Sequence, residues 1–130
     1  MFHNRKSTKE LLVEANSEVE QISAAEAIEL ISDENTVFID VRETGETDQG
    51  VVPGAVHAPR GMLEFYVDPE SPMHKDVFAE DKKFVFYCGS GGRSALSAVA
   101  VQRMGLEPVA HIAGGFPGWK EVGGPVDGKS

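Results

Sequence analysis

Apolar and polar positions change period repeatedly along the chain. Residues 37–41 (Val-Phe-Ile-Asp-Val) and 84–87 (Phe-Val-Phe-Tyr) are short, nearly unbroken apolar runs, the pattern of strands covered on both faces. Shorter extended candidates lie at 19–22, 55–58 and 108–112. Between them the spacing becomes helical. Residues 7–15 carry Leu11, Leu12 and Ala15 on one side, and Ser23 with Glu26 forms a capping box ahead of Ile28, Leu30 and Ile31. An alanine-rich helix is predicted over 94–104, closed by Gly105, with a helical turn over 61–66 and a last short helix around Trp119. The polar, glycine-rich stretch 42–54 and residues 68–72 read as loops. Strands alternating with helices predict an α/β domain with a mostly parallel sheet.

At 130 residues and 41% hydrophobic content, the chain suits one packed domain and is too apolar for disorder. We expect an N-terminal extension with a short helix over 1–18, the domain itself over 19–126 and a polar tail over 127–130. Asp and Glu outnumber Lys and Arg by 21 to 12, for a net charge of -9. A surface of that sign repels phosphate backbones and anionic lipid, so neither nucleic acid nor membrane is an expected partner. No apolar run approaches the ~20 residues of a membrane span, and the first residues have no apolar leader pattern. With Cys88 as the single cysteine, no disulfide framework and no cysteine-based zinc site can form within the chain. His3, His57, His74 and His111 show no paired metal spacing and read as hydrogen-bonded structural residues. The expectation is a reduced, cytoplasmic domain with no metal and no cofactor.

The chemistry concentrates at Cys88, which ends an apolar strand and is followed by Gly89-Ser90-Gly91-Gly92-Arg93-Ser94 and a helix. The carboxyl ends of parallel strands form the binding crevice of such sheets. Three glycines in four residues let successive N–H groups curl inward, and the helix start adds unpaired donors. A thiol facing that cradle ionises more readily than a free one. Arg93 could tie the loop down or contact an anion. A buried structural cysteine would need no glycines after it. The stretch lacks both the Lys-Ser/Thr of a P-loop and the spacing G-x-G-x-x-G. A phosphatase loop places five residues between Cys and Arg to ring a tetrahedral phosphate, whereas here four do. The shorter ring suits a terminal sulfur. Asp40 and Arg42, at the end of the 37–41 strand, are read as a salt bridge or as support for the loop, and Arg60 as a cation at the mouth.

At this point the chain resembles the rhodanese family of sulfurtransferases in its single-domain form. The matching pieces are FIDVRE (38–43), GVVPGAVHAPRG (50–61), FYCGSGGRSA (86–95) and GGFPGW (114–119) before GGPV (123–126). The resemblance implies a five-stranded parallel sheet with helices on both faces and Cys88 as sulfur carrier. It also implies that residues 89–93 are the active-site loop, of the length that marks sulfur handling. Val51 stands where many relatives have His. The expected reaction moves sulfane sulfur from a small anionic donor such as thiosulfate, through a persulfide on Cys88, to cyanide, a thiol or a sulfur-accepting protein. Since Cys88 is the only cysteine, the acceptor must come from outside. Two alternatives stay open: a non-catalytic binding module using the same anion-cradling loop, and a phosphatase or arsenate reductase.

Overall fold

In the computed structural model, which describes residues 4–128, five strands form one parallel sheet in the order β1-β5-β4-β2-β3. They are β1 (Glu20–Ile22), β2 (Thr36–Asp40), β3 (Val56–His57), β4 (Lys83–Tyr87) and β5 (Val109–Ile112). The helices are α1 (Thr8–Glu18), α2 (Ala24–Ile28), α3 (Thr44–Thr47), α4 (Leu63–Val67), α5 (Gly92–Arg103) and α6 (Gly115–Glu121). Single 3-10 turns occupy Arg60–Met62 and Asp76–Ala79. This is the five-stranded parallel α/β architecture that the resemblance implied. His3 and residues 129–130 of the expected tail lie outside the described residues.

Strand parity builds a core on each side of the sheet. Phe84 and Phe86 of β4, with Ile39 of β2, pack beneath Ala15 of α1, Leu63 of α4 and Ala95 and Ala98 of α5. Val85 and Tyr87, with Phe38, pack instead beneath Ala27 of α2 and Phe116 and Trp119 of α6. Trp119 is fully buried, edge-on to Phe38 at 5.7 Å between ring centres, and its Nε1 donates to the carbonyl of Pro125 at 2.7 Å. Truncating such a residue to alanine costs roughly 3–5 kcal/mol.

Local chemistry sets the helix starts. Ser7 and Glu10 exchange side-chain and backbone hydrogen bonds at the start of α1, as Ser23 and Glu26 do for α2. Helix α1 continues past residue 15 to Glu18 and packs on α5, so it is a working part of the fold. The segment after Gly123 is likewise tied down. Gly124 N donates to Trp119 O at 2.9 Å, and Val51 and Asp127 exchange both backbone hydrogen bonds at 2.9 Å.

The topology fixes where a site belongs. From β4 the chain crosses through α5 to β5 on one side, while β2 connects to β3 on the other. Adjacent strands whose connections leave in opposite directions open a crevice at their carboxyl ends. Cys88 is the first residue beyond β4 at that point.

Candidate active site

Cys88 continues the parity of Phe84 and Phe86, so its side chain enters the α1/α5 side of the sheet. The chain then makes a tight loop into α5. Gly91 caps this helix with φ of 103°, in the left-handed region where glycine avoids the Cβ clash. That turn swings two amides onto the sulfur. Gly91 N donates to Cys88 Sγ at 3.0 Å and Ser94 N at 3.3 Å, while Ser94 Oγ lies 3.5 Å from Sγ. Burial pushes the Cys88 thiol up, but hydrogen bonds from the Ser94 hydroxyl and the amides of Ser90, Ser94 and Gly91 outweigh it, and the thiol ends below its ordinary value. Cys88 has no exposed surface. The sulfur is thus shielded, with amides aimed at it.

A second glycine turn supports the loop from below. Phe116 N, at the start of α6, donates to Cys88 O at 2.8 Å. Gly115 has φ of 58°, and a Cβ there would be driven into the Cys88 carbonyl oxygen. Only a residue without a side chain lets the β5–α6 turn pass this close.

Arg93 anchors the other side. Both arms of its guanidinium meet Glu46 of α3, Nη1 to Oε2 and Nη2 to Oε1, each at 2.7 Å. Glu46 is itself positioned by accepting from Glu43 N at 2.9 Å. Hydrogen bonding to Arg93 holds the Glu46 carboxyl down at about 2, and the same bond raises Arg93. Arg93 is therefore a strut between α3 and the loop. Gly92 opens α5 two residues earlier than the pattern suggested, where a Cβ would touch Leu12 of α1.

The remaining sequence-predicted residues stand farther back. Asp40 and Arg42 form a buried pair, with Nη2 to Oδ2 at 2.8 Å, and Arg42 also donates to Gly50 O at 2.8 Å. The Arg42 guanidinium lies 4.4 Å from the centre of the Phe116 ring. The pair thus braces the segment whose Phe116 amide donates to the Cys88 carbonyl, behind the loop rather than within it. Arg60 sits at the carboxyl end of β2, donating from its backbone to Val41 O at 3.1 Å. Its guanidinium is paired with Glu64 at 2.8 Å.

Two participants escaped the sequence reading, Glu46 and Asn16, while His111, read there as a hydrogen-bonded structural histidine, is bonded at both ring nitrogens. Ser94 Oγ and His111 Nδ1 are 3.2 Å apart, and His111 Nε2 is 2.6 Å from Asn16 Oδ1. His111 is the third residue of β5 and the register partner of Phe86, which places it on the face that Cys88 enters. Among the described residues no group of three or more metal-ligating side chains occurs, and no helix is long and apolar enough to cross a membrane.

Comparison with known proteins gives one family and more than one name for its activity. The family model for the rhodanese-like domain matches residues 23–122. The Bacillus subtilis protein named "Putative sulfurtransferase YtwF" is 34% identical over 104 residues, covering 79% of this chain and 92% of that protein. A protein from Allochromatium vinosum named "Sulfurtransferase" is 27% identical over 97 residues, covering 75% of this chain and 83% of that one. Among solved structures, a Rhodopseudomonas palustris protein of unknown function, described as a "Possible Tyrosine Phosphatase", superposes with a TM-score of 0.92 at 49% identity. The match covers 94% of this chain and 95% of that one.

Proposed function

The chain belongs to the rhodanese-like domain family, and from that premise we propose that it is a thiosulfate-type sulfurtransferase with Cys88 as its nucleophile. The observation that carries the reading is the convergence of the Gly91 and Ser94 amides on Cys88 Sγ at 3.0 and 3.3 Å. Relatives named as sulfurtransferases support the same class of reaction.

In the first half-reaction the Cys88 thiolate attacks the outer sulfur of thiosulfate. A new S–S bond forms to Cys88 while the bond to the central sulfur breaks, and sulfite leaves with the electron pair. The persulfide keeps a negative charge, which the loop amides of residues 89–94 stabilise as an oxyanion hole stabilises oxygen. In the second half-reaction cyanide or an external thiol attacks the outer sulfur and expels the Cys88 thiolate. A sulfur-accepting protein could supply that thiol, and no internal cysteine competes for the role. Because Sγ is fully covered, the loop must part before a donor reaches it. Gly89, Ser90 and Gly91 are the segment that yields, since Arg93 is held by Glu46 and Gly92 already belongs to α5. Arg60, near the same edge, steers an anionic donor only when it leaves Glu64. The reaction needs no cofactor, and a free thiol of this kind fits the reducing cytoplasm.

A second reading follows from the description of the Rhodopseudomonas palustris structure as a possible tyrosine phosphatase. Phosphate transfer would ask Arg93 to hold the substrate, but both of its arms are engaged by Glu46. Four residues between Cys88 and Arg93 also leave a tight ring for a tetrahedral group. Parallel assays separate the two. Thiocyanate formation from thiosulfate and cyanide, abolished in Cys88→Ser, is the expected result. Hydrolysis of p-nitrophenyl phosphate, abolished in the same variant and without thiocyanate formation, would replace the sulfur reading with the phosphate one. Failure of both assays would favour a binding module.

A further inference from the structure

Behind the loop, four side chains form an unbroken line from the buried thiol to the exposed Asn16: Cys88 just after β4, Ser94 of α5, His111 of β5 and Asn16 of α1. The separations are 3.5 Å from Sγ to Ser94 Oγ, 3.2 Å from Ser94 Oγ to His111 Nδ1 and 2.6 Å from His111 Nε2 to Asn16 Oδ1. Asn16 offers its amide oxygen to Nε2, which keeps a proton there and leaves the Nδ1 lone pair facing Ser94. Cys88 and His111 are both sealed from solvent, at 0% and 1% exposure. The thiol therefore has no bulk water beside it to take its proton.

We propose that His111 is the internal proton acceptor for Cys88, acting through the Ser94 hydroxyl and held in place by Asn16. The S–H bond of Cys88 breaks as an O–H bond forms at Ser94, while the original Ser94 O–H breaks as an N–H bond forms at His111 Nδ1. No electron pair leaves the site and nothing is oxidised. The products are a thiolate that accepts from the Ser94 hydroxyl and an imidazolium that donates from both nitrogens, to Ser94 and to Asn16. The Asn16 carbonyl can accept from either form of the ring, so Asn16 fits both states. The inference rests on Cys88 being the nucleophile, and it adds a positioning residue to that reading.

The surroundings of His111 leave Cys88 as its natural counterion. Its hydrogen-bond partners, Asn16 from α1 and Ser94 from α5, and its register neighbours, Phe86 on β4 and Gln21 on β1, are all uncharged. Burial alone lowers its basicity. An imidazolium there persists only with an anion close by, so the two groups must ionise together. A glutamine at this position could offer one donor and one acceptor as the neutral ring does, but it cannot take the proton.

The test needs no sulfur donor, so its failure is distinguishable from failure of the transfer reading. The rate at which iodoacetamide alkylates Cys88 is measured across pH in the native chain, His111→Gln and Asn16→Asp. Loss of the acceptor should move the acid limb of His111→Gln to higher pH, lowering the rate near pH 7 by about tenfold for each pH unit moved, with the alkaline plateau kept. A carboxylate against Nε2 should move the limb of Asn16→Asp the other way. In the native chain, imidazole NMR signals should show His111 carrying its proton over the pH range in which thiolate absorbance appears and losing it only at higher pH. A His111→Gln profile superimposable on the native one would overturn the proposal. So would a His111 ring that stays neutral throughout thiolate formation, a readout that holds even if the variants fail to fold.

Discussion

Replacing Ser94 with alanine removes one oxygen from the sulfur's surroundings and leaves the loop amides in place. Gly91 N and Ser94 N still donate at 3.0 and 3.3 Å, and alanine suits the first turn of α5. What is lost is the hydroxyl 3.5 Å from Sγ. A hydrogen bond to a charged group contributes about 1.5–3 kcal/mol, and one this long to sulfur belongs at the low end, near ~1.5 kcal/mol. Since ~1.4 kcal/mol corresponds to one pH unit, the alkylation profile of Cys88 should move about one unit to higher pH. The sign follows from chemistry: the lost donor favoured the thiolate, so more alkali is needed to form it. The substitution also leaves His111 Nδ1 buried without its partner, which costs about 1–3 kcal/mol of stability. Iodoacetamide trapping read by intact mass gives the profile, and denaturant unfolding gives the stability. An unmoved profile, or one displaced to lower pH, would refute the idea that Ser94 helps to ionise the thiol.

Three other changes probe separate parts of the site. Gly115→Ala places a Cβ against the Cys88 carbonyl and forces alanine to φ of 58°; the backbone conformation alone costs about 1–3 kcal/mol, and thiocyanate formation should fall further than stability does. Glu46→Gln breaks the clamp on Arg93, whose side chains are over a third exposed, so unfolding experiments near neutral pH should show a change of only about 0–1 kcal/mol. Because the folded Glu46 carboxyl is held down at about 2, its contribution is complete above the ordinary carboxylate range and disappears as pH falls to about 2; the stability difference between native and variant chains should vanish over that window. Asp40→Asn leaves the Arg42 guanidinium buried without its counterion and should lower unfolding free energy by about 3–5 kcal/mol, measured by urea titration.

The residues show why some of this was legible in the chain and some was not. Strands β2 and β4 were readable because each is covered on both faces, which leaves an apolar run that composition alone exposes. The Cys88 loop was readable because its chemistry is contiguous: nucleophile, glycines, arginine and helix follow one another within residues 88–94. Helix α3 was not, since its four residues Thr44–Thr47 contain no apolar periodicity and are held by polar bonds from Glu43 and Glu46. The turn at Asp76–Ala79 buries only Phe78, too little to mark a pattern. His111 reads from the chain as a hydrogen-bonded structural histidine and is one; its partners were not legible because they are distant in sequence, 17 residues away at Ser94 and 95 at Asn16. Their meeting depends on register, above all on His111 sitting opposite Phe86 with Cys88 two positions further along. Glu46 likewise meets Arg93 across 47 residues.

The central claim is that the Cys88 thiolate accepts a single sulfur atom and passes it on. Intact mass of the purified chain, recorded before and after thiosulfate and again after cyanide, tests it most directly. The account predicts a gain of one sulfur atom on the native chain, no gain on Cys88→Ser, and return to the starting mass once cyanide is added. A native chain whose mass stays unchanged with thiosulfate and with a panel of persulfide donors would contradict it.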